Sequence, residues 1–210
     1  MGDSALINLD ALKSAQVNSS PYTYFITSNF LTPEAIPLLR QDFPKIQKPG
    51  FLTLQDIDMR GAFRDLISQL ESSELAVALS AKLGIDLDPF PRLTTVRRLS
   101  QLKDGRIHTD SQSKLATFLV YLNDDWTDDG AGRLRVLRGP DDFDDMAAEI
   151  PPTMGHAFGF KRADNSWHGH KPFAGERRVV QVTWLRDAAE LERKKKRNSV
   201  AQFFKGLFGR

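Results

Sequence analysis

A chain of 210 residues that is 40% hydrophobic and 10% aromatic is long enough for one well-buried core and short for two full domains. Its 29 Lys and Arg nearly balance its 27 Asp and Glu, so the net charge of +2 does not point to a nucleic-acid partner. Cysteine is absent, which excludes disulfides, a thiolate nucleophile and cysteine-ligated zinc.

The charge is unevenly spread. Acidic pairs occur at Asp124-Asp125, Asp128-Asp129, Asp141-Asp142 and Asp144-Asp145, against an unbroken basic run from Arg193 to Arg197. Runs of this kind are ordinarily solvated surface. Residues 1–20 carry neither a basic leader nor an apolar stretch, and no apolar run nears the roughly 20 residues that span a bilayer. The expectation is a soluble cytoplasmic protein.

In chain order, residues 1–20 are polar with weak apolar spacing and read as a loosely ordered lead-in. Tyr22 to Ile26 has the aromatic and β-branched content of a strand. Thr32-Pro33-Glu34 reads as a helix start, with a hydroxyl cap, proline in the first turn and an acid at the positive dipole end; that helix stops before Pro44. Residues 44–58 hold two prolines and Gly50 and read as irregular. Between Gly61 and Leu83 the apolar positions repeat every three or four residues, which predicts one helix or two short ones ending near Gly84.

From Leu93 the texture changes. Short β-prone runs follow one another at Leu93 to Leu102, Leu115 to Leu122, Arg133 to Leu137, His156 to Phe160 and Val179 to Leu185, separated by acidic and Gly- or Pro-bearing turns. That spacing predicts an antiparallel sandwich or jelly roll. Asp187 to Arg197 suits a helix, and Val200, Phe203, Phe204, Leu207 and Phe208 then make a basic, amphipathic tail. The expected organisation is a single domain over 21–187, with helical support at 21–90 and the β core at 91–187, followed by the tail 188–210. Two readings of that tail stay open, peripheral membrane contact or docking of Phe203, Phe204 and Phe208 on the core, and no nucleic acid is expected.

All four histidines lie between positions 108 and 170. His108 and Asp110 are one residue apart, and on extended chain such side chains leave the same face, so an imidazole and a carboxylate can converge on one ion. A third ligand from a distant strand would complete one face of an octahedron and leave the other open. Two histidines and a carboxylate in that arrangement suit non-haem Fe(II); zinc is not excluded by residue type.

Beyond His108-Thr109-Asp110 come Tyr121-Leu122-Asn123, the acidic turn Asp124-Asp125-Trp126, Gly130 to Val136, Pro152 to Phe160, Trp167-His168 with Pro172 after it, and Arg178 six positions before Trp184. This ordered set, over roughly residues 93–186, resembles the Fe(II)/2-oxoglutarate-dependent dioxygenases, especially the prolyl 4-hydroxylase-like branch. The resemblance implies an α+β fold with a double-stranded β-helix (jelly-roll, cupin-like) core and supporting N-terminal helices. It implies Fe(II), 2-oxoglutarate and O2 as cofactors, with ascorbate as an accessory reductant. The metal ligands would be His108, Asp110 and His168. His170 shares the strand face of His168 and remains an alternative, although the flanking Trp167 and Pro172 favour His168. The offset to Trp184 selects Arg178 as the clamp on the co-substrate's distal carboxylate, with Arg177 facing the other way, and Tyr121 would assist it. His156 reads as structural. The implied reaction is oxidative decarboxylation to succinate and CO2 coupled to oxidation of a C–H bond. A carboxylate ligand at Asp110 fills the position that a halogenating relative leaves for chloride, so hydroxylation is expected, on a small-molecule, carbohydrate-like or peptidyl substrate. The alternative is a non-catalytic metal-binding, membrane-surface or partner-binding module.

Overall fold

Residues 5–126 and 130–196 are described by a computed structural model. The β-prone runs pair antiparallel into two sheets. The strands are β1 (Val17–Asn18), β2 (Tyr24–Thr27), β3 (Leu52–Thr53), β4 (Arg92–Ser100), β5 (Lys114–Tyr121), β6 (Leu134–Leu137), β7 (Met146–Ile150), β8 (Ala157–Lys161), β9 (His168–Gly169) and β10 (Gly175–Leu185). The larger sheet has seven strands in the order β1-β2-β8-β5-β10-β4-β3, and the smaller has three in the order β7-β6-β9. From β5 onward the chain passes back and forth between the sheets, with β5, β8 and β10 in the large one and β6, β7 and β9 in the small one, as in a jelly roll.

The central strands of the large sheet are apolar on both faces, which explains why β5 and β10 read as continuous hydrophobic runs rather than as alternating ones. Ala116, Phe118 and Val120 of β5, with Val180, Val182 and Trp184 of β10, join one core with the helices. Leu119, Tyr121 and Val179 point the other way, into a second core shared with Leu134, Val136 and Ile150 of the small sheet. The layers run helices, large sheet, small sheet. A buried apolar side chain contributes about 1.5–3 kcal/mol, so both faces of the large sheet are held by burial and not by hydrogen bonds alone.

The helical layer comprises α1 (Leu9–Ser14), α2 (Ala35–Asp42), α3 (Gly61–Leu70) and α4 (Ser73–Leu83). The periodic stretch 61–83 is two helices: Ser72 accepts a hydrogen bond from the Leu75 N–H at 3.1 Å and so starts a new helix. α4 ends at Gly84 in the left-handed region (φ 62°), as glycine permits. In α2 the expected cap is not used. Thr32 instead donates its hydroxyl to the Ala5 carbonyl, and the helix begins after Glu34 without a side-chain cap.

Three expectations change. The lead-in is not loose from residue 6 onward: Leu6, Ile7 and Leu12 are buried, Gln69 accepts from the N–H groups of Leu6 and Ile7, and β1 pairs with β2. The stretch 44–58 contains the short β3, which extends the large sheet beside β4. β7 and β9 arise where the sequence lacks β-prone runs, because the edges of β6 recruit them. Residues 188–196 are helical, and the amphipathic positions from Val200 to Phe208 lie outside the described residues. Among the described residues no helix is long and apolar enough to cross a membrane.

Candidate metal and co-substrate site

His108 follows β4 on an extended segment and pairs antiparallel with His168 of β9. Each backbone N–H donates to the other residue's carbonyl at 3.0 Å. The pairing sets the two imidazoles side by side, with ring centroids 4.4 Å apart, and Asp110 follows two residues on. One ligand atom from each of His108, Asp110 and His168 lies within 4.8 Å of the others.

The chemistry of these donors suits a divalent metal. Nδ1 of His108 is 2.8 Å from the Arg106 carbonyl, and Nδ1 of His168 is 2.8 Å from the Ser166 carbonyl. Each Nδ1 therefore carries the proton and each Nε2 keeps a lone pair for the ion. Burial pushes the His168 pKa down to about 4, so the ring is neutral and ready to ligate at pH 7. Burial alone would raise the Asp110 pKa. The Lys114 ammonium, the His168 ring once acid protonates it, and hydrogen bonds from Lys114 and Thr117 outweigh it and hold the carboxyl well below the usual carboxylate range. Thr117 donates to Asp110 at 2.7 Å from the first half of β5, fixing the carboxylate's rotation.

The triad opens onto a cavity of about 270 Å³ between the sheets. Along β5 the cavity runs from Thr117, beside Asp110, to Tyr121; four strand residues make this about 13 Å at about 3.3 Å each. Leu119, Leu134 and Val179 form its apolar walls, and Arg177 closes the Tyr121 end.

The two neighbouring arginines of β10 part company here. Arg177 lies in the cavity, 4% exposed; its Nε donates to the Gly132 carbonyl at 2.7 Å, and a terminal nitrogen lies 3.4 Å from the Tyr121 hydroxyl. Arg178 lies outside the cavity lining, ion-paired with Glu176 and 5.0 Å from the Phe43 ring centroid. The reason is strand parity. An even offset puts Arg178 on the same face as Trp184, and Trp184 belongs to the helix-side core. Parity with that buried indole was the signal in the sequence for which arginine shares the helix-side face.

The other candidates are separated by the fold. His170 lines the cavity but is not one of the three clustered donors; its Nδ1 is 2.9 Å from the Lys171 carbonyl and its Nε2 is buried without a hydrogen-bond partner. His156 bonds the Thr153 hydroxyl at 2.8 Å, outside the cavity. Sequence reasoning missed Lys114, Thr117 and Arg97, all on the cavity wall. Lys114 and Thr117 stand out in the sequence only as polar side chains on the otherwise apolar β5, and Arg97 is one of several polar residues of β4.

The family model described as "2OG-Fe(II) oxygenase superfamily" matches residues 96–186, from within β4 to the end of β10. The matched stretch is under half of the chain, and it contains His108, Asp110, His168 and both arginines of β10. The family so described uses Fe(II) and 2-oxoglutarate. Solved structures share this fold. A prolyl 4-hydroxylase from Phytophthora capsici superposes with a TM-score of 0.58 at 18% identity, over 87% of this chain and 66% of that one. The chain therefore spans a little under two thirds of that protein's length. A Pseudomonas putida prolyl-4-hydroxylase gives 0.54 at 17% identity, over 86% and 91% of the two chains. A Trichoplax adhaerens prolyl hydroxylase in complex with a hypoxia inducible factor peptide fragment gives 0.50 at 17%, over 77% and 83%. No curated protein matches the chain in sequence.

Proposed function

We propose that this chain is a 2-oxoglutarate- and Fe(II)-dependent dioxygenase that hydroxylates an unactivated C–H bond of a peptidyl or small-molecule substrate. The observation that carries the reading is that three metal-ligating side chains and a buried arginine open onto one cavity. His108 and His168, through Nε2, and the Asp110 carboxylate would hold the iron. Fe(II), when bound, supplies the redox chemistry that couples loss of CO2 from 2-oxoglutarate to oxygen insertion. Substrate C–H, 2-oxoglutarate and O2 become the alcohol, succinate and CO2.

The chain's own residues do the positioning. Arg177 offers a planar, always-charged fork to the co-substrate's distal carboxylate, and Tyr121 offers its hydroxyl beside it. Leu119, Leu134 and Val179 border the methylenes between the two ends and keep water out. Thr117 and Lys114 hold Asp110 in its ligating orientation.

A buried arginine in the metal cavity argues against a module that uses its metal for structure alone, since such a metal has no need of a carboxylate clamp. The Trichoplax adhaerens prolyl hydroxylase, which shares the fold and was solved with a peptide fragment, supports a peptidyl substrate, and carbohydrate-like and other small molecules are the second reading. Anaerobic Fe(II) loading followed by 2-oxoglutarate should produce the visible charge-transfer band of the chelate, and His108→Ala should abolish it. An unchanged band in that variant removes His108 from the ligand set. Succinate release across prolyl peptides, free amino acids and sugars then sorts the substrate classes.

A further inference from the structure

The Tyr121 end of the cavity contains a second guanidinium that the reading above leaves unused. Arg97 of β4 lies directly opposite Val179 of β10, and Val179 lies opposite Tyr121 of β5. Directly paired residues project to the same side of a sheet, so Arg97, Val179 and Tyr121 form one row across three strands, facing the cavity. Arg177 enters the same cavity from two residues earlier on β10.

Arg97 is built in. It is 9% exposed, and its guanidinium carbon lies 4.1 Å from the Phe51 ring centroid. Its ion-pair partner Asp104 is 3.8 Å away and already accepts the Gln101 N–H at 2.9 Å. Its Nε is buried with no hydrogen-bond partner. Burial brings the Arg97 pKa down to about 10; Asp104 opposes that and the charge of Arg177 adds to it. The side chain stays charged at neutral pH. Two like charges and an unpaired donor in one dry cavity are a cost that a bound anion removes.

We infer that Arg97 is a second anchor for the distal carboxylate of the 2-oxo acid, so that the cavity selects co-substrates by that carboxylate through two arginines. The inference rests on the co-substrate reading of Arg177 and names a further residue for it. Phe51 holds the Arg97 plane, Asp104 restrains its far edge, and the Nε side is left for the carboxylate.

The test measures dissociation constants of the Fe(II)-loaded protein, without O2, for 2-oxoglutarate and for 2-oxobutyrate, which lacks the distal carboxylate. Charge-transfer absorbance and thermal shift are the readouts, so turnover is not required. Arg97→Gln should weaken 2-oxoglutarate by about 10-fold or more, as expected for a lost charge-assisted bond, and leave 2-oxobutyrate within about 2-fold. Arg97→Lys keeps the charge and most of the stem; it should load metal normally and retain part of the preference. Equal weakening of both acids in Arg97→Lys, or wild-type affinities in both variants, overturns the inference. A wild-type protein that binds the two acids equally would instead count against the Arg177 clamp itself.

Discussion

At the scale of single residues, the site depends on which nitrogen and which face each side chain presents. Carbonyls of Arg106 and Ser166 occupy Nδ1 of the His108 and His168 imidazoles, so Nε2 of each is available without any rearrangement of the rings. The Arg177 and Arg178 pair shows how sharply one position along a strand matters. Arg177→Ala should weaken 2-oxoglutarate by about 10- to 100-fold, the usual scale for a charged hydrogen-bonded partner. Arg178→Ala removes an ion pair on the other face and should change that affinity by less than about 3-fold, since partly exposed pairs contribute about 0–1 kcal/mol. Isothermal titration of the metal-loaded variants separates the two. Comparable losses would contradict the face assignment.

Elements place the site as much as the ligands do. β9 is only two residues long, yet it carries His168 and pairs with His108 on one side and β6 on the other. β5 supplies Thr117 to the metal end and Tyr121 to the carboxylate end, so its position in the large sheet sets the cavity's length. That sheet is tightly filled. Gly159 of β8 sits between β2 and β5, and a Cβ there would fall 2.4 Å from the Phe25 ring and 3.2 Å from that of Phe118. Gly159→Ala should therefore destabilise the protein by about 1–3 kcal/mol through overpacking. Gly139→Ala, whose Cβ would meet nothing within 4 Å, should stay within about 0.5 kcal/mol. Urea midpoints measured side by side test the contrast, and equal midpoints would mean that the sheet relaxes around the extra methyl.

For the whole molecule, burial of the site couples stability to pH and to metal. Burial lowers His168 to about 4 and His170 to about 3, against the ordinary 6.5 of a free histidine. Below about pH 6.5 the unfolded chain takes up protons at both rings while the folded protein does not. The stabilisation is thus complete above that pH and is lost progressively as pH falls towards about 4. The metal-free protein should accordingly show a lower urea midpoint at pH 5 than at pH 7. Mn(II), a redox-quiet stand-in for Fe(II), should raise the melting temperature at pH 7. At a hundredfold excess over its Kd the gain corresponds to about 2.7 kcal/mol. A melting temperature indifferent to metal would argue that the three donors do not act together.

Much of the β core was legible because β-prone runs at regular spacing have few other ways to bury themselves. His108 and Asp110 were legible because side chains two residues apart on extended chain share a face whatever surrounds them. The amphipathic repeat at 61–83 likewise reported its buried face, since that face is a property of local period. What the sequence by itself determined, then, was whatever follows from local geometry: strand runs, helical faces, and the pairing of a histidine with a nearby acid. The tertiary structure alone decided which side of the large sheet is the helix-packed core and which is the cavity. That choice placed Arg177 rather than Arg178 beside Tyr121, brought Arg97 into the same row, and drew residues 6–18 and the short β3, β7 and β9 into the fold. Parity along a strand is local, but the identity of each face depends on which other elements pack against it.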